Sequence, residues 1–587
     1  MNRRAATLSR LYAAPLAVVM IAACTPRAEA QDTGESGRKQ ACDTAGLSLP
    51  RGFCATIFAD NIGHARQLAV APDGTVYVNT WSGVYYKNDK PPEGGFLVAI
   101  KDKDGDGRAD EIVRFGETVA SGGHGGTGLA LYKGAIYAEI NDRIVRYALN
   151  GGAPEQEPET IVSGLPVTGD HPMHPFAIGP AGDLYVDLGS ADNACEEKNR
   201  MPLSPGRSPC VELETRGGVW RYDANKRNQL FSPAERFASG LRNAEGLSVD
   251  PSGRIFATQH GRDQFAENWP RLYTPEQGQN LPAEILVELK HGADYGWPEC
   301  YFDDKQEKLV LAPEYGGDGG QKIGVCAEKT PPVAFFPAHW APNDMKIYHG
   351  AQFPAAYRGG AFIAFHGSWN RAPGPQGGYN VVFQPLSDGK ASEPYVIFAD
   401  GFAGAHKEPG RAEHRPSGLA VGPDGALYVS DDQGGRIWRV TFEGGPDITA
   451  IEAAPEPAAA AATAAAAEPP EGVHPDASAE AALPIPPGAS PEDVALGRRI
   501  FAGEVAGATC GGCHGTDGKG TPVGADLTSG TWLWGDGSLE SLITTITNGV
   551  PEPKQHGGAM PPMGGVSLSE PQIRAVAAYV WALGHAN

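Results

Sequence analysis

The sequence predicts a mainly β protein, a six-bladed β-propeller followed by a small all-α domain. Three observations favour this architecture. A Gly-containing turn followed by an apolar strand recurs six times, an Ala- and Pro-rich segment interrupts the chain after residue 446, and helical patterns begin at Ser490. With 587 residues, of which 78 are glycine and 50 are proline, the chain is long enough for one large β domain and one smaller unit.

The six repeats each join a tight turn to a strand. They read PDGTVYV from 72, KGAIYA from 133, PAGDLYV from 180, PSGRIFA from 251, RGGAFIA from 358 and PDGALYV from 423. Glycine in the turn permits a positive φ, and the residues that follow alternate between the two faces of a strand. Because each interval can hold a four-stranded blade, six blades fit best, and a pair of β-sandwiches is the alternative.

The first thirty residues resemble an export signal, with three arginines ahead of an apolar run from Leu11 to Ala23. That run is too short to span a membrane stably. Cys24 directly follows it, which favours a lipoprotein signal and a periplasmic protein that is lipid-anchored at Cys24. Cleavage after Ala30 would instead leave a soluble periplasmic protein.

The chain carries a formal net charge of -22. Such a surface repels phosphate backbones and anionic lipid heads, so nucleic acid is not an expected partner. A basic redox partner would be attracted instead. After the signal, the sequence shows no apolar segment long enough to cross a membrane.

Cysteine usage supports export to an oxidising compartment. Of nine cysteines, one lies in the signal and two lie in a C-terminal motif, and the other six fall into three close pairs. The simplest connectivity is Cys42–Cys54, Cys195–Cys210 and Cys300–Cys326. Each pair would close a short loop worth about 3 kcal/mol. Six cysteines can pair in many other ways, which stay open.

The predicted domains are a signal over 1–30, the propeller over 40–446, a linker over 447–485 and a helical domain over 486–587. The linker is rich in alanine, proline and acidic residues, a composition that forms a semi-extended tether rather than a core. Ser490 and Pro491 suit the start of a helix. Ser569 and Gln572 repeat that capping pattern ahead of a second apolar helical face.

The helical domain contains the most specific motif in the chain, Cys510-Gly511-Gly512-Cys513-His514. Two thiols at this spacing can take up both vinyl groups of a haem, and the histidine that follows then binds the iron. A thioredoxin-like or zinc site would need a βαβ frame or a second cysteine pair, and the sequence shows neither. The motif therefore predicts a covalently bound c-type haem.

The sixth ligand of the haem iron is expected from the segment HGGAMPPMGG, residues 556–565. The resemblance of this region to small class I bacterial cytochromes c implies Met560, just before the proline pair, rather than Met563. His556 is the remaining rival ligand. Ligation by methionine and histidine raises the reduction potential of the iron, as an electron acceptor requires.

Five segments of the β domain carry a further family resemblance. They are GDHPMHPFAIGPAGDLYV, SGLRNAEGLSVDPSGRIFATQHGRDQ, HGADYGWPEC, AFHGSWNRAPG and EHRPSGLAVGPDGALYV. Over residues 45–445 the chain resembles the soluble glucose and sorbosone dehydrogenases that use pyrroloquinoline quinone (PQQ), and the sorbosone-type branch most closely. The resemblance implies an enzyme that transfers hydride from a sugar or a related aldehyde or alcohol to PQQ.

The haem motif then implies where the electrons go. They would pass from PQQ to the chain's own haem and on to a periplasmic acceptor, either a cytochrome c, a cupredoxin or an oxidase. Two other classes of function are weighed against this one. A propeller that needs only calcium could be a lactonase or esterase, and a propeller without redox chemistry could bind carbohydrate. The haem argues against both, because neither has a use for electrons.

The resemblance also implies the residue that removes the substrate proton. His171 matches the family's catalytic base, and a neutral imidazole there could accept the proton of a substrate hydroxyl. His174 is the rival base, and Asp170 is a candidate substrate contact. Ser190 stands where relatives carry the carboxylate that orients the base, so the sequence leaves the orienting group of His171 open.

PQQ is a planar tricarboxylate, so its pocket needs fixed cations. The matched positions that imply PQQ binding are His124, Arg242, Asn243, Arg371 and Arg415. Arg242 is also expected to act in catalysis, since its guanidinium would stabilise the oxyanion formed on reduction. The backbone carbonyls of Gly261 and Arg262 match positions that bind the calcium ion of the family.

A second calcium loop is suggested by KDKDGDGRADE, in which Asp102, Asp104, Asp106 and Asp110 alternate as oxygen ligands would. Val113 stands where an EF-hand would place its bidentate glutamate. A plain acidic turn between two strands is the alternative.

Overall fold

The computed structural model describes residues 43–81, 93–117, 126–154, 156–371, 375–407, 411–445, 448–456, 483–503, 505, 508, 510–515, 518–521, 523–556 and 558–585. The predicted signal, with Cys24, lies outside these ranges. So do His124, Cys42 and most of the predicted linker. In the part of the chain that is described, no helix is both long and apolar enough to cross a membrane.

Six antiparallel sheets form the six predicted blades, numbered here in chain order. The first strand of each blade is, in turn, His64–Val70, Leu129–Tyr132, Phe176–Ile178, Leu247–Val249, Pro342–Ile347 and Pro416–Val421. The second strands are Val76–Trp81, Ala135–Ile140, Asp183–Leu188, Ile255–Gln259, Ala361–Phe365 and Leu427–Asp431. The third strands are Leu97–Lys101, Arg143–Ala148, Gly218–Asp223, Glu284–Leu289, Asn380–Gln384 and Ile437–Phe442. The outer strands are Glu111–Phe115, Glu159–Ser163, Arg236–Ser239, Ala334–Phe336, Val396–Ala399 and Phe53–Ala59.

The first strands of neighbouring blades contact one another all the way round the ring, which is the arrangement of a propeller and not of stacked sandwiches. Each of the six sequence repeats supplies the second strand of one blade and the turn before it. The turn glycines all have a positive φ, between 74° at Gly134 and 99° at Gly182. The predicted six-bladed fold is therefore confirmed.

The ring is closed by a strand from the N-terminal side of the chain. Phe53–Ala59 pairs antiparallel with Ile437–Phe442, with Phe53 opposite Phe442. The Phe53 ring packs edge-on against Phe353 and Phe398, each with centroids 4.9 Å away. Such aromatic pairs add to the stabilisation from apolar burial, so the closure is reinforced by packing as well as by hydrogen bonds.

Smaller elements decorate the ring. Strand Gln229–Leu230 adds parallel to blade 2, and the two-stranded hairpins are Cys300–Asp303 with Lys308–Leu311 and Leu386–Ser387 with Lys390–Ala391. Short α-helices span Phe265–Asn268 and Pro275–Asn280. Single 3-10 turns span Val211–Glu214, Pro233–Glu235, Pro313–Tyr315, Gly324–Glu328 and Ala355–Tyr357.

Two predicted disulfides are present, Cys195–Cys210 and Cys300–Cys326. Cys54 is also disulfide-bonded, whereas Cys42, its predicted partner, lies outside the described residues. The described free cysteines are Cys510 and Cys513. Disulfides are typical of proteins in oxidising compartments.

The C-terminal domain is helical, as predicted. Its helices are Pro491–Phe501, Cys510–His514, Leu539–Asn548 and Glu570–Gly584, with a 3-10 turn over Pro562–Gly565. Ser490 caps the first helix, because its Oγ accepts a hydrogen bond from the Asp493 amide at 3.1 Å. The first and last helices cross closely at Gly497, where a Cβ atom would lie 2.0 Å from the Ala575 carbonyl oxygen.

One face of the propeller collects the family-matched residues. In an antiparallel blade, the start of the first strand and the end of the second lie at the same end. The loops before the first strands and after the second strands therefore meet on one face, which we call the upper face. His171, Ser190, Arg242 and Gly261 all lie in such loops.

Candidate active site and candidate haem site

His171 is held by the backbone of a neighbouring loop. Its Nδ1 atom lies 2.8 Å from the carbonyl oxygen of Ser190 and 3.0 Å from the Ser190 Oγ. The Ser190 hydroxyl in turn donates to the Asp192 carbonyl at 2.6 Å. Because a carbonyl only accepts, Nδ1 carries the proton of the neutral ring and Nε2 keeps its lone pair. This is the tautomer that a general base needs.

The surroundings of His171 keep its ring uncharged. Burial lowers the pKa of His171 well below its usual value, and the positive charge of Arg242 lowers it further. The amide of Ser190 donates to the Arg242 carbonyl at 2.7 Å, which ties the two loops together. At neutral pH the imidazole is therefore a neutral base beside a fixed cation.

His174, the rival base, is buried in the domain and hydrogen-bonded there. The side chain is 1% exposed. Its Nδ1 lies 3.1 Å from Glu139 Oε1, and its Nε2 lies 2.9 Å from the Pro166 carbonyl. Both ring nitrogens are thus engaged. The geometry favours His171 over His174 as the base.

Asp170, a candidate substrate contact, pairs with a buried arginine. Its Oδ2 accepts a hydrogen bond from Arg200 Nε at 3.0 Å, and both side chains are almost fully buried. Arg200 also pairs with Asp263, with 3.0 Å between Nη1 and Oδ2. Asp170 therefore orients Arg200, and its contact with a substrate stays a prediction.

Arg242 lies at the centre of this buried charge network. Its guanidinium donates to the Asp263 carboxylate at 2.9 Å, to Asn193 Oδ1 at 3.1 Å and to the Gly261 carbonyl at 2.9 Å. Burial alone would raise the pKa of Asp263, but the charges of Arg242 and Arg200 outweigh it and hold the pKa well below its usual value. The Asp263 carboxylate thus lies between two guanidinium groups, those of Arg242 and Arg200.

Asn243 shows whether a polar ligand would fit between the His171 and Arg242 loops. Its Oδ1 atom is buried, and among the described residues it has no hydrogen-bond partner. Its Nδ2 atom donates to Glu245 at 3.3 Å. A Cβ atom at Gly189 would lie 2.9 Å from Asn243 Oδ1 and 2.6 Å from His171 Cβ. A buried acceptor without a donor is the kind of atom that a polar ligand satisfies, so these residues fit a polar cofactor.

Arg371 and Arg415, which are expected to bind the carboxylates of PQQ, also donate hydrogen bonds to loop carbonyls. Arg371 donates to the carbonyls of Gln279 at 3.0 Å and Ala338 at 2.8 Å. Arg415 donates to the carbonyls of His366 at 3.1 Å and Gly367 at 2.7 Å. Each side chain remains partly exposed, and each guanidinium holds carbonyls of neighbouring loops.

A second buried cluster near Arg415 was not predicted from the sequence. Asp432 pairs with Arg66 at 3.2 Å and with His366 at 2.7 Å. Burial alone would raise the pKa of Asp432, but His366 and Arg66 hold it well below its usual value. These residues come from blades 1, 5 and 6, so only ring closure brings them together. His366 lies in the quoted segment AFHGSWNRAPG, which is the one signal that could have found it.

The backbone expected to bind calcium lies against Arg242. The Gly261 carbonyl accepts from Arg242, and the Gly261 amide donates to Glu284 Oε2 at 2.7 Å. The Arg262 side chain pairs with Glu314 and stacks over Phe265, with 4.4 Å from the guanidinium carbon to the ring centroid. A carbonyl oxygen has two lone pairs, so Gly261 can accept from Arg242 and still bind a cation.

The acidic loop joins two strands of blade 1. Asp102, Asp104 and Asp106 bring one carboxylate oxygen each within 4.8 Å of one another. Asp102 also accepts from the amides of Gly105 and Gly107, at 2.7 and 2.8 Å, as in an ordinary turn. Asp110 accepts from the Lys103 amide at 2.6 Å. A second calcium site at this loop stays a prediction.

The C-terminal domain contains a cavity that is partly open to solvent. Its lining includes Cys510, Cys513, His514, Met560 and His556, together with apolar side chains of three helices. His514 Nδ1 lies 2.8 Å from the Ala525 carbonyl, and a hydrogen bond of this kind orients the ring of a metal-binding histidine. The donor set and the apolar walls fit a covalently bound haem.

The predicted axial methionine can be compared with its neighbour. Met560 lines the cavity and its backbone pairs with Val550, which fixes the segment. Met563 is absent from the described lining of the cavity and has a φ of 55° within a tight turn. The geometry favours Met560, while His556 also reaches the cavity.

Known families match both domains. A family model described as TrAA12-like matches residues 47–443. A second, described as cytochrome C oxidase, cbb3-type, subunit III, matches residues 492–580. The sequence resemblance to quinoprotein sugar dehydrogenases, with a cytochrome c domain fused after them, is confirmed.

Individual relatives match one domain or the other. An uncharacterized protein of Borreliella burgdorferi is 25% identical over 403 residues, 68% of this chain and 92% of that protein. A pyrroloquinoline quinone-dependent pyranose dehydrogenase of Coprinopsis cinerea is 29% identical over 240 residues, 36% of this chain and only 31% of that enzyme. The Cbb3-type cytochrome c oxidase subunit CcoP of Rhodobacter capsulatus is 43% identical over 96 residues, 15% of this chain and 28% of that subunit.

Solved structures share the fold of the β domain. The iodide structure of the Trichoderma reesei Carbohydrate-Active Enzymes Family AA12 protein aligns with a TM-score of 0.53 and 19% identity, over 69% of this chain and 99% of that one. The holo form of the pyranose dehydrogenase PQQ domain of Coprinopsis cinerea aligns with a TM-score of 0.51 and 20% identity, over 67% and 97%. At these identities the likeness establishes the propeller fold.

Proposed function

This chain belongs to the TrAA12-like family, and from that premise we propose that it is a quinohaemoprotein dehydrogenase. Its substrate would be a sugar or a related alcohol or aldehyde hydrate, of the sorbosone-like class that the sequence indicates. One observation carries the proposal: a buried neutral imidazole, His171, stands beside Arg242 on the upper face of a chain that also encloses a haem cavity. PQQ, when bound, supplies the two-electron acceptor for hydride from the substrate carbon.

His171 would act as the general base. Its Nε2 atom would accept the proton of the substrate hydroxyl while the proton on Nδ1 stays hydrogen-bonded to the Ser190 carbonyl. That hydrogen bond fixes both the tautomer and the ring orientation, so no reorganisation is needed at the moment of transfer. A positioned base of this kind typically contributes about 100- to 10,000-fold to the rate.

The cations of the upper face would hold PQQ. Arg242 and Asn243 would contact it, and the guanidinium charge of Arg242 would favour the negative charge that develops on reduction. Arg371 and Arg415 offer further positive charge to its carboxylates. The carbonyls of Gly261 and Arg262 would bind a calcium ion beside it.

The haem domain would receive the electrons. Cys510 and Cys513 would attach the haem, and His514 and Met560 would bind its iron. The final acceptor would be a periplasmic cytochrome c, cupredoxin or oxidase. The two disulfides of the propeller support an oxidising compartment such as the periplasm.

The proposal is tested with the full-length haem protein. PQQ and calcium are added, and the visible absorption of the haem is followed with a panel of aldoses and sugar aldehydes. We expect haem reduction with at least one substrate, and its loss in the His171→Gln variant with the haem content unchanged. No reduction with any substrate, after PQQ binding is shown by its own absorption, would overturn the proposal.

A further inference from the structure

The haem motif packs against the upper face of the propeller. Trp369 lies in the loop that follows the second strand of blade 5, and its indole faces Gly512, between the two haem-attaching cysteines. A Cβ atom at residue 512 would lie 2.8 Å from Trp369 Cε3. Attachment of haem requires only the two cysteines and the histidine of the motif, so the chemistry of the motif does not demand a glycine there. The close approach of Trp369 leaves room only for a glycine at residue 512.

Two further contacts surround this one. Lys198, in a loop of blade 3, pairs with Glu552 of the C-terminal domain, with 3.3 Å between Nζ and Oε1. Glu267, in a loop of blade 4, lies against Gly565, where a Cβ atom would be 3.2 Å from Glu267 Cγ. Three blades thus contact the two segments that flank the haem cavity.

A short chain of contacts connects this interface to the candidate active site. Asn370, next to Trp369, donates from Nδ2 to Asp263 Oδ1 at 2.7 Å. The other oxygen of Asp263 accepts from Arg242 at 2.9 Å. Two hydrogen bonds, one peptide bond and one van der Waals contact therefore lead from Arg242 to the haem motif.

We propose that the C-terminal domain docks on the upper face in this arrangement during turnover, with Trp369 as the positioning residue between the active site and the haem motif. This proposal rests on the proposed function, which it deepens by naming the electron-transfer surface. Each substrate oxidation releases two electrons and two protons. Haem iron takes one electron at a time, so two iron reductions, each followed by reoxidation by an external one-electron acceptor, complete one turnover.

The contacts suit a docking that is specific and reversible. Lys198 and Glu552 are 54% and 78% exposed, and ion pairs at such exposure contribute little. Specificity therefore comes from the fit of the Trp369 indole over Gly512. A modest interface lets the domain leave the propeller and reach its external acceptor, as interfaces within a chain commonly allow.

Docking is tested without PQQ or substrate by carbodiimide coupling of the full-length haem protein. Lys198 and Glu552 should become joined by an amide bond that mass spectrometry detects. Lys103 and Glu111, 3.2 Å apart within blade 1 and similarly exposed, provide the matched internal reference. In Gly512→Val we expect the Lys198–Glu552 product to fall at least fivefold, with the Lys103–Glu111 product unchanged. Adding Trp369→Ala should restore it, because space is returned to the new side chain.

The kinetic arm measures haem reduction by substrate in stopped flow, at equal haem content. Gly512→Val should slow it at least tenfold, while reduction of a soluble two-electron dye stays within twofold of wild type. Absence of the Lys198–Glu552 product in the wild-type protein, or unchanged haem reduction when that product is lost, would overturn the docking proposal. A normal coupling pattern without any dye or haem reduction would instead contradict the proposed function and leave the docking intact.

Discussion

The Nδ1 atom of His171 lies 2.8 Å from the backbone carbonyl oxygen of Ser190. A carbonyl orients an imidazole as well as a carboxylate does, but it carries no charge with which to stabilise the protonated ring. The hydrogen bond to Ser190 raises the pKa of His171, but burial and the charge of Arg242 lower it by more. This arrangement shows how the His171 ring is held, which the sequence left open.

The first prediction concerns pH. Burial and Arg242 lower the pKa of His171 well below its usual value, so the active neutral form persists as the pH falls through 6.5. We expect kcat/KM to stay constant between pH 8 and 6.5 and to fall only at lower pH.

Ser190→Asp would place a negative charge at Nδ1 and raise the pKa of His171, so the acidic limb of the pH profile should move to higher pH. Ser190→Ala is the control, since it keeps the carbonyl and should change kcat by less than about tenfold, one neutral hydrogen bond being worth about 1 kcal/mol. An unshifted limb in Ser190→Asp would contradict the assignment.

The second prediction concerns the Asp263 carboxylate between Arg242 and Arg200. Asp263→Asn leaves two buried guanidinium groups without their shared anion, which typically costs about 3 to 5 kcal/mol of unfolding free energy. Because the pKa of Asp263 is depressed in the folded state, this stabilisation is present at neutral pH and is lost as the pH falls below about 4. Chemical denaturation at pH 7 and at lower pH measures both effects.

A matched control for that variant is Asp388→Asn. Asp388 is fully exposed and pairs with Arg254 at 3.2 Å on the surface. Removing its charge should change the unfolding free energy by less than about 0.5 kcal/mol. If Asp263→Asn and Asp388→Asn lowered the unfolding free energy equally, the buried network would not stabilise the propeller more than a surface ion pair does.

The third prediction separates the two methionines of the haem domain. Met560→Ala should remove the thioether ligand, lower the reduction potential of the haem and abolish the visible band of sulfur ligation to ferric iron. Met563→Ala should keep both the band and the potential, since Met563 is not part of the described cavity lining. Spectroscopic titration of the two variants decides the matter, and the opposite pattern would assign the ligand to Met563.

The fourth prediction concerns the disulfide Cys195–Cys210. It closes the loop that carries Lys198 and Arg200, so it constrains residues of both the charge network and the docking surface. Replacing both cysteines by serine should lower the unfolding free energy by about 3 kcal/mol and reduce the Lys198–Glu552 coupling product. The same replacement at Cys300–Cys326 should lower stability without changing that product. Loss of the product in both variants would point to general unfolding.

The fold was more predictable from the sequence than the site. The six turn glycines and the strands after them are local signals, so the blades could be located one by one. Asp263, Arg200 and Asn370 belong to three different loops, and only the closed ring brings them together. The Ser190 carbonyl is a backbone group, which leaves no signature in a sequence. Arg242 and His171 could be found because the family resemblance marked them.

The pairing of Phe53 with Phe442 has a consequence for how such a protein arises. The ring is complete within residues 53–442, and the haem domain has a separate apolar core. Recombination between genes could join or exchange the two parts without breaking either core. After such a fusion, only the surface where the two domains meet would have to adapt. A glycine opposite a tryptophan is a small change, and it could be enough for selection to join the two domains in electron transfer.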